Sequence, residues 1–278
     1  MDFLTPEGQQ RYDGLVSAAP QTLIGLDFDG VLSPIVDDPA AAVIHPDGPA
    51  VLVDVAGAVR AVAVITGRPA RQAVELGSLE QVADSLAEGA RLFVLGQYGN
   101  ERWDSVSREF SSPAPPAGLV RFAEELPTLL AEHDASDAFV EDKGIAVAVH
   151  TRRLDDPQAV FARLLPVLTD AARGHALDVE PGRLVVEVRA PGMHKGDALR
   201  QIRGEVGADG VLFAGDDLGD LEAFRAVAAL RDEGAPGLLV CSGSEEQTAL
   251  VELSDVVVDG PRGVLRLLAD FAHDVRSR

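Results

Sequence analysis

Short apolar runs recur along the chain with helical stretches between them, and this alternation limits the possible folds more than any other feature. "TLIGLDF" (22–28), "AVAVIT" (Ala61–Thr66), "ARLFVLG" (Ala90–Gly96), "GVLFAGDD" (Gly210–Asp217) and "GLLVC" (Gly237–Cys241) are too short for buried helices. The first two are β-branched-rich and unbroken, and the others read the same way, as short strands covered on both faces should. Helical spacing marks Pro49–Val59, Pro69–Leu76, Lys195–Val206, Leu218–Leu230 and Arg262–Val275. Strand and helix in alternation predict an α/β fold, a parallel sheet with helices on both faces.

The middle of the chain follows a different order. A proline-rich junction, "SSPAPPAG" (Ser111–Gly118), precedes a helix at Leu119–Glu132, a hairpin-like pair within Asp137–Arg153 and a long helix at Pro157–Arg173. Two short strands, "ALDVE" and "RLVVEVR", then turn at Pro181-Gly182. This order predicts an inserted α+β domain at 112–191, with the core domain formed by 1–111 and 192–278. The joining segments, Ser112–Gly118 and Ala190–Gly192, contain Pro and Gly and read as a hinge.

In open α/β sheets ligands sit beyond the carboxyl ends of the strands. Asp27 and Asp29 stand at such an end, as do Thr66-Gly67-Arg68 and Asp216-Asp217. The paired carboxylates with Asp216 make a hard-oxygen site suited to Mg²⁺, which offsets their mutual repulsion. Lys195, opening a helix, supplies a second cation. An EF-hand loop is excluded, because Gly30 falls at the fourth place instead of the sixth. The six histidines show no HxxxH or HxH spacing, which argues against zinc.

Charge narrows the partners. The chain has 45 acidic against 24 basic side chains, a net −21, which disfavours nucleic acid and anionic membranes. An anionic substrate would then need local cations. Cys241 is the single cysteine, so no internal disulfide forms. No apolar stretch approaches the ~20 residues of a membrane span, and the first residues lack the order of a signal peptide. A cytoplasmic monomer acting on a small molecule is the expectation.

The motifs "DFDG", "ITGR", "HKGDAL" and "GDDLGD" occur in this order from Asp27 to Asp220, and the set resembles the haloacid dehalogenase (HAD) superfamily of phosphotransferases. The segments "LDFDGVLSPIVDDP", "VEDKGIAVAVHTR", "VVEVRAPGMHKGDAL" and "GSEEQTALVELSDVVV" are similar to those of trehalose-6-phosphate phosphatases, over nearly the whole chain. Departures from that pattern are Val31 and Gly219 for Thr, Leu221 for Glu, and Tyr98 where His is common. The aspartates that carry the chemistry are intact, so the departures bear on the sugar.

The resemblance implies a HAD-type Rossmann-like core with the inserted domain as a cap, and hydrolysis of a sugar phosphate. Asp27 would attack phosphorus, and Asp29 would protonate the leaving oxygen and then activate water. Thr66 and Lys195 would hold phosphoryl oxygens. Mg²⁺ would be bound by the Asp27 carboxylate, the Asp29 backbone carbonyl and Asp216, supported by Asp217 and Asp220. On the cap, the two-residue strand period puts Glu141 with Lys143, and Glu187 opposite Val186 and Val188. The family uses the matching positions to hold the disaccharide; Arg68 and Asn100 are further substrate-binding candidates. The same chemistry on sucrose phosphate or glucosylglycerol phosphate is an alternative. So is a regulatory module that binds trehalose 6-phosphate without turnover, though it would not need the Asp27 nucleophile.

Overall fold

The structure, a computed structural model, describes residues 3–36, 38–191, 194–243 and 248–278. Asp37 of the extended first motif, Gly192 of the second joining segment and residues 244–247 of the tail motif lie outside these. The chain divides into two units, Met1–Ser111 with His194–Arg278, and Ser112–Met193.

Thr5 opens α1 (Pro6–Ser17): its side chain accepts from the Gly8 N–H at 3.1 Å, and Pro6 occupies the first turn, where its missing N–H costs nothing. Next come β1 (Thr22–Leu26), α2 (Gly48–Ala56), β2 (Ala61–Ile65), α3 (Ala70–Leu76), α4 (Leu79–Asp84), β3 (Leu92–Gly96), β4 (Glu101–Asp104) and β5 (Phe110–Ser111). The second unit holds α5 (Ala117–Glu132), β6 (Phe139–Asp142), β7 (Ala146–His150), α6 (Pro157–Gly174), β8 (Asp178–Gly182) and β9 (Val185–Arg189). The first unit resumes with α7 (Lys195–Val206), β10 (Gly210–Gly215), α8 (Leu221–Asp232), β11 (Gly237–Gly243), α9 (Thr248–Leu253), β12 (Val256–Asp259) and α10 (Gly260–Arg276).

In the first unit the strands run β12-β11-β10-β1-β2-β3-β4-β5. Successive residues of the central strands alternate between two apolar layers. Ile24, Val62 and Leu212 face one, with residues of α1, α2 and α10; Leu23, Ala63 and Phe213 face the other, with α7 and α8. This double burial explains the unbroken apolar runs. Gly25 faces the second layer, where a Cβ would lie 2.8 Å from the Phe213 ring.

The sheet is mixed, not wholly parallel: β4 and β5 pair antiparallel. Residues 97–100 are too few to cross over the sheet, so β4 must return beside β3. Trp103 buries itself there, and the Arg102 guanidinium lies over the Phe93 ring at 5.0 Å. The expected helix at Leu218–Leu230 is also corrected. Leu218–Asp220 form a 3₁₀ turn, because Asp217 and Asp220 make a reciprocal cap, and α8 starts at Leu221. The two sheet edges are short or covered: β5 has two residues, and Phe3 bridges Val256 of β12.

In the second unit the antiparallel order is β6-β7-β9-β8. Leu119, Phe122, Leu126 and Leu130 of α5 and Val160, Leu164 and Leu168 of α6 pack with Val147, Val149, Val186 and Val188 in one apolar cluster. The turn falls at Arg183-Leu184, not at Pro181-Gly182. Pro181 is tolerated within β8 because that strand is an edge, and Leu184 takes the left-handed conformation, φ 60°.

Asp255 ties α1 and α8 to the sheet. It is 2% exposed, accepts from Leu239 N at 2.8 Å, and pairs with Arg11 and Arg231. Asp255→Ala would leave Arg231 half-enclosed without its partner, and a loss of about 3–5 kcal/mol is expected. Urea titration checks this; a loss below about 1 kcal/mol would mean that water already satisfies Arg231. Among the described residues no helix is long and apolar enough to cross a membrane.

Candidate active site

The register of the sheet brings three strand ends together. Leu26 pairs with Ala214 of β10 and Val64 of β2, so Asp27, Thr66 and Asp216 emerge on one edge where the chain order reverses. Beyond β1 the chain closes a tight loop, with Leu32 N and Ser33 N donating to Phe28 O at 2.9 Å and Gly30 N to Ser33 O at 2.7 Å. Gly30 has φ +68°, and a Cβ there would lie 2.1 Å from Asp216 Oδ2, so both the turn and the close approach require glycine. The Ser242 hydroxyl, from β11, donates to Gly30 O at 2.5 Å. Sequence reading passed over Ser242, which lies in a run that otherwise reads as buried strand.

Lys195 is 4% exposed and sits 2.8 Å from both Asp27 Oδ1 and Asp220 Oδ1. Asp220 Oδ2 accepts from Asp216 N at 2.9 Å and Asp217 N at 3.3 Å, so both its oxygens are engaged. Asp217 is exposed, and its Oδ1 accepts from Gly219 N at 2.8 Å, a capping bond. Among the described residues Asp27, Asp216 and Asp220 form the set of carboxylates able to converge on a cation, one oxygen of each within 4.8 Å of the others. Asp220 thus lies closer to the centre of the cluster than a supporting place implied.

Burial and crowding set the proton affinities. Burial pushes the Asp27 carboxyl well above its ordinary range, against the pull of Lys195, with Asp220 and Asp216 adding repulsion. Asp216 is pushed up to about 8 by burial, then by Asp217 and Asp220. Asp220 is raised by burial despite Lys195. Burial acts to lower the Lys195 pKa, but Asp220, Asp27 and Asp217 together hold the ammonium well above its ordinary value. Three buried carboxylates face one ammonium, and the missing positive charge fits a hard divalent cation bound through oxygen.

Thr66 is buried and its Oγ1 accepts from Arg68 N at 3.1 Å; it does not cap α3, which starts after Pro69. Arg68 grips Asp29 as a fork, Nε to Oδ2 and Nη2 to Oδ1, each 2.7 Å. Asn100 donates from Nδ2 to Gln97 O at 3.1 Å within its own loop. Gln97 and Tyr98 both take positive φ, 49° and 59°, which is costly for residues with a Cβ.

In the second unit Glu141, Ala148, Glu187 and Glu180 align in one row across the sheet, on the face away from the apolar cluster. Lys143 lies just beyond β6 and pairs with Glu187 at 2.5 Å. Glu187 Oε1 is buried without a hydrogen-bond partner among the described residues. His150 Nε2 meets Glu141 Oε2 at 2.9 Å, and Arg189 Nη2 meets Glu180 Oε2 at 2.8 Å. The last pair was missed, although the strand period already put Arg189 on the face of Glu187.

Comparison with known proteins gives concordant likenesses. A family model described as trehalose-phosphatase matches residues 130–256. Trehalose-phosphate phosphatase B of Arabidopsis thaliana is 30% identical over 270 residues, covering 90% of this chain and 68% of that protein. The fold is similar to the C-terminal domain of trehalose-6-phosphate phosphatase from C. albicans, with a TM-score of 0.74, 20% identity and 96% of each chain covered. It is also similar to a haloacid dehalogenase-like hydrolase from Bacteroides thetaiotaomicron, with a TM-score of 0.66, 14% identity, and 90% of this chain and 98% of that one covered.

Proposed function

The chain belongs to the trehalose-phosphatase family, and we propose that it hydrolyses trehalose 6-phosphate to trehalose and phosphate through an aspartyl-phosphate. The observation that carries this reading is the buried Asp27 at the end of β1, set against Lys195 and beside Asp216 and Asp220. An Asp27 oxygen attacks phosphorus, an Asp27–phosphorus bond forms and the bond from phosphorus to the sugar oxygen breaks. Asp29 gives its proton to that oxygen. Water then attacks phosphorus, passes a proton to Asp29, and phosphate leaves as the Asp27 carboxylate is regenerated. Thr66 and Lys195 hold phosphoryl oxygens.

Asp27 and Asp216 would bind Mg²⁺ directly and the Asp29 backbone carbonyl would add a ligand, while Asp220, whose oxygens are engaged, fixes Lys195 and the 216–217 backbone. Asp217 supports the same turn. The cation, when bound, offsets negative charge on the transferring phosphoryl group. We assign the cytoplasm as its compartment and a monomer as its working form; the lone, buried Cys241 is in keeping with a reducing compartment.

We assign the second unit the role of cap and sugar recognition to Glu141, Lys143 and Glu187. The buried, partnerless Glu187 Oε1 supports this, since a sugar hydroxyl would supply the donor that it lacks. Each residue changed to Ala is expected to lower kcat/KM on trehalose 6-phosphate by about ten- to a hundredfold. Hydrolysis of a small aryl phosphate should hardly change. Because Lys143→Ala also strips Glu187 of its ion pair, its melting temperature is measured alongside. Equal losses on both substrates would assign these residues to the fold alone.

The reading itself is tested by phosphate release from trehalose 6-phosphate, sucrose phosphate and glucosylglycerol phosphate, with and without Mg²⁺. Fastest turnover on trehalose 6-phosphate is expected. A faster rival substrate would displace the sugar assignment, and no release from any would leave a binding module.

A further inference from the structure

We propose that Arg68 is the positioning residue for Asp29 and not a ligand of the sugar; this rests on the phosphatase reading above. Arg68 spends its hydrogen-bonding edge within the protein. Nε and Nη2 take both oxygens of Asp29 at 2.7 Å, Nη1 donates to Pro39 O at 2.8 Å, and the guanidinium lies 5.7 Å from the centre of the Phe28 ring. The Arg68 side chain is 11% exposed, whereas that of Asp29 is 38% exposed and would otherwise rotate. A planar fork on both oxygens sets the plane of the carboxylate as well as its place, which a lysine ammonium cannot do.

The backbone beneath Arg68 is held just as firmly. Arg68 N donates to Thr66 Oγ1 at 3.1 Å, Gln97 N donates to Arg68 O at 2.9 Å, and Tyr98 N donates to Thr66 O at 2.9 Å. The last two donors come from the two residues with positive φ, so a strained loop is what fixes this turn. The Tyr98 ring closes over Gly67, where a Cβ would lie 2.9 Å from its Cζ and Oη. Strain in 97–98 thus fixes the 66–68 turn, the turn aims Arg68, and Arg68 aims the carboxylate that must serve first the leaving oxygen and then the water.

The test is a double-mutant cycle with two substrates. Arg68→Gln is expected to lower kcat by about 10- to 100-fold on trehalose 6-phosphate, the scale on which misplacing a reacting group acts, with KM nearly unchanged. On an aryl phosphate with a good leaving group it should give a burst of one phenolate per enzyme. Asp27 can still displace that group without a proton, while the water step, which needs Asp29, slows. In an Asp29→Ala background Arg68→Gln should cost nothing more, and guanidinium ion should restore part of the Arg68→Ala loss. Arg68→Lys, which keeps the charge and stem, serves if Arg68→Gln does not fold; it too should lower kcat. A raised KM with kcat intact, or a loss that adds fully to that of Asp29→Ala, overturns the proposal. A wild-type protein inert on every phosphate removes the phosphatase reading and the proposal with it. Wild-type turnover with an unaltered kcat in these variants removes the proposal alone.

Discussion

Asp27→Asn is expected to abolish turnover, by at least about 10,000-fold, while leaving the fold intact or more stable. Removal of a nucleophile acts on that scale. The amide keeps the shape of the side chain but has no negative oxygen to attack with. Stability should not suffer, because Asp27 lies among like charges. Asp216 and Asp220 repel it, and Lys195 retains Asp220 at 2.8 Å when Asp27 is neutral. In the absence of divalent cations the variant should therefore melt at or above the wild-type temperature. Steady-state kinetics and thermal scans on one preparation decide this. Activity within tenfold of wild type would remove Asp27 from the reaction, and a large fall in melting temperature would mean that the Asp27–Lys195 pair outweighs the repulsion.

Chelation should produce the second large effect. EDTA is expected to abolish activity, Mg²⁺ to restore it and Ca²⁺ to do so poorly, since Ca²⁺ takes more ligands in looser geometry. The response to pH gives an independent check. Asp216 holds its proton up to about pH 8 in the fold, against about 3.9 in an unfolded chain. Between these values the folded state binds more protons than the unfolded state, so metal-free stability must fall as pH rises through that window. A bound cation needs the carboxylates ionised. The gain in melting temperature from a fixed Mg²⁺ concentration should therefore be larger at pH 8 than at pH 5.5. A gain that is flat with pH, or larger at pH 5.5, would contradict a cation site built on Asp216.

What could be read from sequence follows from burial. Strands such as Ala61–Ile65 are covered on both faces, so their apolar run is unbroken and visible. The ends of α7, Lys195–Val206, match the expected helix because Gly207 in the left-handed conformation stops it. Strand β4 was not visible. Its "ERWD" carries three charged side chains, and only Trp103 is deeply buried. The turn before β9 was misplaced because Pro-Gly is a strong turn signal that an edge strand can override. At the site, strand-end aspartates could be found from position alone. The Arg68–Asp29 fork could not, because it joins residues 39 apart and depends on where a long side chain points. The engagement of both Asp220 oxygens likewise depends on the 3₁₀ turn that displaced the expected helix start.

The way the eight-stranded sheet ends bears on how the protein behaves when concentrated. An exposed strand edge is a template on which a neighbouring chain can add its own backbone. At one end this sheet offers only Phe110–Ser111, too short to seed such growth. At the other, Phe3 bridges Val256, and Leu4 N donates to Asp255 O at 3.0 Å. With a net charge of −21 keeping molecules apart, the folded chain is protected against edge-to-edge aggregation at both ends of the sheet. That protection is unequal: Phe110–Ser111 is safe by its length, whereas β12 depends on a few residues before α1. Clipping by a protease ahead of Thr5 would expose β12 to edge-to-edge association and make the protein prone to precipitate, with the residues of the candidate site untouched.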